Sequence, residues 1–163
     1  MKLAPKIVEI AAKEVGVEEI DGSNCGPRVN EYKAATNLPT EESWPWCAAY
    51  VAWVVREAMK ALGIKETATF KRPTTAGAWD FENWSRKQDN STHTKKPHGN
   101  DILPGDIVIF TFSHIGIAIA APDGDTVRAV EGNTDIAGGR EGGGVFLKTR
   151  KLSSIRSRIR FTV

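Results

Sequence analysis

No apolar run in this sequence approaches the roughly 20 residues that a membrane-spanning helix requires, so neither a transmembrane segment nor a membrane partner is expected. An excess of one charge is also missing. Twenty-two Lys and Arg face 20 Asp and Glu, and a net charge of +2 is too small to argue for a nucleic-acid partner. Cysteine and histidine are scarce, at two and three residues, and no spacing among them matches a zinc site. No metal site is expected. The glycines between Gly138 and Gly144 lack the Lys-Ser/Thr of a phosphate-binding loop and do not lead from a strand into a helix, so they read as a hairpin loop. Met1 to Gly16 is amphipathic rather than a basic start followed by an apolar block, so no signal peptide is read. Internal repeats and domain linkers are absent, which leaves one domain over residues 1–163, expected to be a monomer.

What is present suits a soluble globular chain, with 40% apolar and 26% charged residues. The first half carries helical periodicity. Ile7, Ile10, Ala11 and Val15 fall on one stripe closed by Gly16. Gly26-Pro27 opens a second helix with Val29, Tyr32 and Ala35 on one side. In the third and clearest helix, Ala48, Val51, Ala52, Val55, Met59 and Leu62 follow the 3.6-residue period. Pro45 suits its first turn and Gly63 ends it. A shorter helix is expected over about Thr75 to Lys87, and the polar stretch from Asn90 to Asp101 reads as a loop.

The second half changes period. Asp106 to Phe112 is a nearly continuous apolar strand. His114 to Ala120 alternates, with His114, Gly116 and Ala118 on one face and Ile115, Ile117 and Ile119 on the other. A turn at Pro122 to Asp125 leads to a strand over Thr126–Asn133, and strands near Val145–Thr149 and Ser157–Val163 follow. Short connections imply an antiparallel sheet, so the fold class is α+β with the N-terminal helices packed on it.

These elements can assemble a nucleophilic site. Cys47 falls in the first turn of the third helix, where unpaired N–H groups and the helix dipole favour a thiolate and can hold an oxyanion. A thiol nucleophile needs a base, and a base needs an orienting group. His114 opens the alternating strand. With the hairpin centred near residues 122 and 123, Glu131 is expected to stand opposite His114, with Asn133 two residues on along the same face. Small Gly116 and Ala118 on the His114 face are expected to let a helix pack closely.

The segments Trp44-Pro45-Trp46-Cys47-Ala48-Ala49-Tyr50-Val51, Ser113-His114-Ile115-Gly116-Ile117 and Glu131-Gly132-Asn133-Thr134, preceded by Leu103-Pro104-Gly105-Asp106, resemble the CHAP family of cysteine, histidine-dependent amidohydrolases and peptidases. That group is related to the NlpC-type, papain-like proteins. The resemblance spans roughly residues 24–134. It implies a papain-like α+β fold and cleavage of amide or peptide bonds in bacterial peptidoglycan, as an endopeptidase or an N-acetylmuramoyl-L-alanine amidase, with no organic cofactor. Carried over position by position, it makes Cys47 the nucleophile, His114 the base, and Glu131 and Asn133 the orienting groups. Some relatives bind calcium through an acidic cluster before the cysteine. Only Glu41 and Glu42 stand there, so calcium is not carried over. Absence of a signal peptide fits a phage endolysin held in the host cytoplasm until release to the wall, or an enzyme delivered to the periplasm.

Other residues have plainer readings. Trp44, Trp46 and Trp79 are candidate substrate walls, although tryptophans of this kind also fill cores. Cys25 reads as a small apolar filler, and a Cys25–Cys47 disulfide is the less favoured arrangement. His93 and His98 read as solvated, and Asp123 and Asp125 as turn residues. Arg156, Arg158 and Arg160 form a cationic strand face that resists edge pairing or attracts anionic wall polymers. The competing functional classes are a non-catalytic wall-binding or phage structural protein, and a toxin acting on a protein substrate.

Overall fold

The computed structural model describes residues 2–134 and 142–163. Four helices precede most of the sheet: α1 (Leu3–Lys13), α2 (Pro27–Lys33), α3 (Cys47–Leu62) and α4 (Asp80–Ser85). The strands are β1 (Ser91–Lys95), β2 (Ile107–Phe110), β3 (Ile115–Ala118), β4 (Thr126–Thr134), β5 (Gly144–Lys151) and β6 (Ile155–Phe161). They form one antiparallel sheet in the order β1-β6-β2-β3-β4-β5. The α+β class with helices on an antiparallel sheet is therefore the observed one. The expected hairpin loop at Ile136–Gly144 falls, up to residue 141, outside the described residues.

The core sits between the helices and one face of the sheet. Ile107, Ile109, Ile115, Ile117, Val130 and Ile159 pack there against α1, α2 and α3. The opposite face carries a second cluster built from Ile102, Val108, Phe110, Ala118, Val127, Ala129 and Ile155. Both faces of β2 are thus covered, which accounts for its continuous apolar run. Helix α3 is the central helix. Its run from Cys47 to Val55 is buried, and Gly63 closes it in the left-handed conformation at φ 66°. Pro45 lies just ahead of the cap residue Trp46 rather than inside the first turn. Helix α1 ends at Lys13, so Val15 leaves its stripe and is 44% exposed.

Three local expectations are corrected. Part of the polar stretch from Asn90 to Asp101 is a strand, because Ser91–Lys95 pairs residue by residue with Phe161–Ser157. That pairing puts β6 inside the sheet, and its arginines are bonded internally. Arg160 grips the buried Asp106 carboxylate with two hydrogen bonds of 2.8 and 2.7 Å. Arg158 donates to the Asp101 carbonyl, and Arg156 donates to buried Glu82 at 2.9 Å. They neither guard an edge nor form a free cationic face. His93 is not solvated either, since its Nε2 lies 3.2 Å from Glu82 and its side chain is 11% exposed.

Close packing of α3 on the sheet depends on Gly132, not on Gly116. A Cβ at Gly132 would lie 2.8 Å from Tyr50 Cβ and 2.9 Å from the Trp46 ring. In β3 it is Ile115 and Ile117 that face the helices, while the His114 face turns toward the second cluster.

Candidate active site

Cys47 is the first residue of α3 and is 6% exposed. No side chain caps this helix, and its first described backbone bond runs from Tyr50 N–H to the Trp46 carbonyl. The N–H groups of the first turn therefore have no partner within the helix. Cys47 stands in that turn, and such N–H groups can receive an anionic oxygen. Cys47 borders a cleft of about 220 Å³ whose walls include Trp44, Ala76 and Ser113.

His114 immediately precedes β3 and is fully buried. Its Nε2 lies 2.9 Å from Glu131 Oε1. Nδ1 has no protein hydrogen-bond partner among the described residues, which leaves it as the nitrogen available to the thiol. Phe110 and Phe112 stack on the ring, with centroids 5.8 and 5.7 Å away. Burial opposes charge on the imidazole. The facing Cys47 thiol and the Glu131 carboxylate outweigh it and lift His114 from 6.5 to about 9.

Glu131 reaches His114 by a route the sequence did not show. β3 and β4 pair with Ile117 opposite Val130 and Ala118 opposite Ala129. Continued by one residue, that register sets Gly116 opposite Glu131, two positions from the expected pairing. The Glu131 side chain lies along β3 over Gly116, where a Cβ would come within 2.7 Å of its Cγ. Glycine is what lets the carboxylate reach the imidazole.

Sequence reasoning missed Arg150. It projects from β5, donates from Nε to Glu131 Oε2 at 2.8 Å and also bonds Oε1 through Nη2. Its guanidinium lies 5.2 Å from the ring centroids of both Phe110 and Phe112. Burial opposes the Glu131 charge, but Arg150 and His114 overcome that and hold the carboxyl below its usual range. The available signal was alternation, since Phe146, Lys148 and Arg150 share the less exposed face of β5.

The remaining candidates separate. Asn133 is buried in the left-handed conformation at φ 54°, where the pairing of β4 with β5 shifts register. Among the described residues it does not bond His114, and neither its amide oxygen nor its nitrogen has a protein partner. Trp44 is a wall of the Cys47 cleft, steadied by an indole N–H bond to the Pro39 carbonyl. Trp46 is a core residue instead of a wall. It is wholly buried, with its ring 5.7 Å from Tyr32 and its N–H on Glu19. Trp79 is 40% exposed, bonds the Phe110 carbonyl and lies under the Arg156 guanidinium. It is not among the walls of the Cys47 cleft. A larger cleft of about 580 Å³, between Lys96–Gly99 and Leu152–Arg156, contains neither Cys47 nor His114.

Both cysteines are free thiols. Cys25 is not an apolar filler, because its sulfur lies 3.5 Å from the buried ammonium of Lys33. Lys33 also donates to the carbonyls of Asn24 and Glu42 and lies under the Trp44 ring. The segment ahead of Cys47 is thus tied down by a side-chain cation, and Glu41 and Glu42 are exposed. Those residues do not fit a calcium site.

A cysteine that opens a helix, a histidine just ahead of a strand, and helices packed against one antiparallel sheet define an α+β protein. The CHAP domain family matches residues 39–133, and the chain belongs to that family. Among solved structures, the chain is similar to the wild-type endolysin LysIME-EF1, with a TM-score of 0.60 at 16% sequence identity. That similarity covers 99% of this chain and 65% of the endolysin chain, and at such identity it speaks for the fold. No curated protein matches. Among the described residues, no helix is long and apolar enough to cross a membrane.

Proposed function

We propose that this protein is a cysteine-dependent peptidoglycan hydrolase that cleaves amide or peptide bonds by acyl transfer. The observation that carries the reading is the division of labour at His114. One ring nitrogen is held by Glu131, and the other is left for Cys47. Membership of the CHAP domain family and the fold shared with an endolysin support peptidoglycan as the substrate.

In this reading the Cys47 thiolate attacks the carbonyl carbon in the cleft, with its proton resting on His114. The first-turn N–H groups of α3 take the developing oxyanion. His114 passes the proton to the leaving amine, which departs as the carbon–nitrogen bond breaks. The same imidazole then takes a proton from water, whose oxygen attacks the thioester and releases the acid and free Cys47. Glu131 keeps the ring aligned and favours the imidazolium. Asn133 offers its unpartnered amide to the substrate or the oxyanion, and Trp44 forms one wall of the peptide site. The enzyme acts as a monomer at the cell wall, as an endopeptidase or an N-acetylmuramoyl-L-alanine amidase.

The test is release of soluble fragments from purified peptidoglycan under reducing conditions. Wild type releases them, and Cys47→Ala and His114→Ala do not while remaining folded. Undiminished release by Cys47→Ala contradicts the proposal. Cleavage of protein substrates without any action on peptidoglycan redirects it to a toxin.

A further inference from the structure

The Cys47 cleft does not end at the nucleophile. A second cavity of about 440 Å³ shares Leu38, Ala76 and Gly77 with it, so the two form one groove leading away from the thiol. Its structure is fixed by backbone bonding, since Asn37 N–H donates to the Thr74 carbonyl at 3.1 Å. Gly77 N–H donates to Thr75 Oγ1 at 3.1 Å and holds the opposite wall.

Only one charged residue borders the described groove, and it stands at the far end. Asp80 begins α4, and its carboxylate leans back over Gly77, where a Cβ would lie 2.9 Å from Oδ2. A side chain at position 77 would push that carboxylate away. No hydrogen bond or ion pair engages the Asp80 side chain among the described residues. The other acidic groups near the chemistry are committed, with Glu131 bonded to Arg150 and His114. An unpaired carboxylate at the end of an otherwise neutral groove, which the polar residues Asn37, Thr74 and Thr75 also line, has the chemistry to receive a compact cation with several N–H donors.

We propose that Asp80 forms a subsite for a primary ammonium group on the peptide substrate, several atoms from the scissile carbonyl. This rests on the peptidoglycan-hydrolase reading and deepens it. The preferred substrate is a wall peptide with a free amine, either on a diamino-acid side chain or at an unlinked peptide end. Asp80 is a specificity residue whose contribution is to binding.

The experiment compares soluble peptidoglycan peptides with free amines against the same peptides N-acetylated, cleaved by wild type and by Asp80→Asn. Acetylation removes the cation and leaves the existing amide bonds intact. Wild type is expected to show KM about fivefold higher on the acetylated peptides with kcat little changed, as for a partly exposed ion pair. Asp80→Asn is expected to show the higher KM on both. Because Asp80 is exposed, the variant should keep the wild-type melting temperature. Equal KM values for wild type on the two substrates, or a preference retained by Asp80→Asn, overturn the subsite and leave the hydrolase standing. Absence of any Cys47-dependent cleavage of either substrate overturns both.

Discussion

Glu131 faces Gly116 across β3 and β4, yet its Oε1 lies 2.9 Å from Nε2 of His114. The carboxylate spans that offset along the strand only because residue 116 has no side chain. The orientation of the imidazole thus depends on a glycine that makes no polar side-chain contact.

That dependence separates two glycine substitutions. In Gly116→Ala the new methyl meets Glu131 Cγ at 2.7 Å and displaces the carboxylate from His114. Activity should fall at least tenfold, with only a modest loss of stability. In Gly132→Ala the methyl meets Tyr50 and Trp46 in the core, where overpacking costs about 1–3 kcal/mol. Melting curves and kcat/KM for both variants check the split: Gly116→Ala should lose activity more than stability, and Gly132→Ala the reverse.

The pH dependence follows from the charge pair. Contact with Cys47 and Glu131 raises His114 from 6.5 to about 9 despite its burial. A raised pKa in a histidine means that its stabilisation is fully present below 6.5 and is lost as pH climbs through about 9. With imidazolium as the active form, kcat/KM should hold to about pH 9 and fall above it. Glu131→Gln removes the anion that favours the imidazolium, so its alkaline limb should move to lower pH. Rate profiles for the two proteins test this, and an unmoved limb counts against the Glu131 assignment.

Arg150 is the second support. Removing it leaves the buried Glu131 carboxylate with His114 as its remaining charged partner, and loss of one member of a buried pair typically costs about 3–5 kcal/mol. Arg150→Met should lower the melting temperature by roughly 6–20 °C for a chain of this size. Arg150→Lys should recover part of the stability but little of the activity, because a lysine cannot reproduce the two-point grip. Thermal denaturation together with kcat measurements distinguishes these outcomes.

Much of this arrangement was legible in the sequence because periodicity reports local structure directly. The 3.6-residue period located α3 and placed Cys47 at its start. The two-residue period set the faces of the histidine strand. What escaped was set by long-range pairing. The β3–β4 register depended on where the turn closes, and the pairing of Ile117 with Val130 stands two residues from the symmetric guess. Ser91–Lys95 has no apolar face and is a strand because β6 supplies its partners. Trp46 is buried because Tyr32 and Gly132 pack against its ring, and Glu19, 27 residues away in sequence, satisfies its N–H. Arg150 lies one residue past the expected end of its strand, and its role exists only once β5 is laid beside β4.

The central claim is that Cys47 breaks an amide bond in peptidoglycan. Mass spectrometry of the soluble products from purified peptidoglycan, treated with wild type or Cys47→Ser, tests it most directly. New amino and carboxyl ends from wild type alone, with masses that identify the bond cut, are the predicted result. The same ends from Cys47→Ser, or no new ends from wild type across several wall types with reductant present, would contradict it.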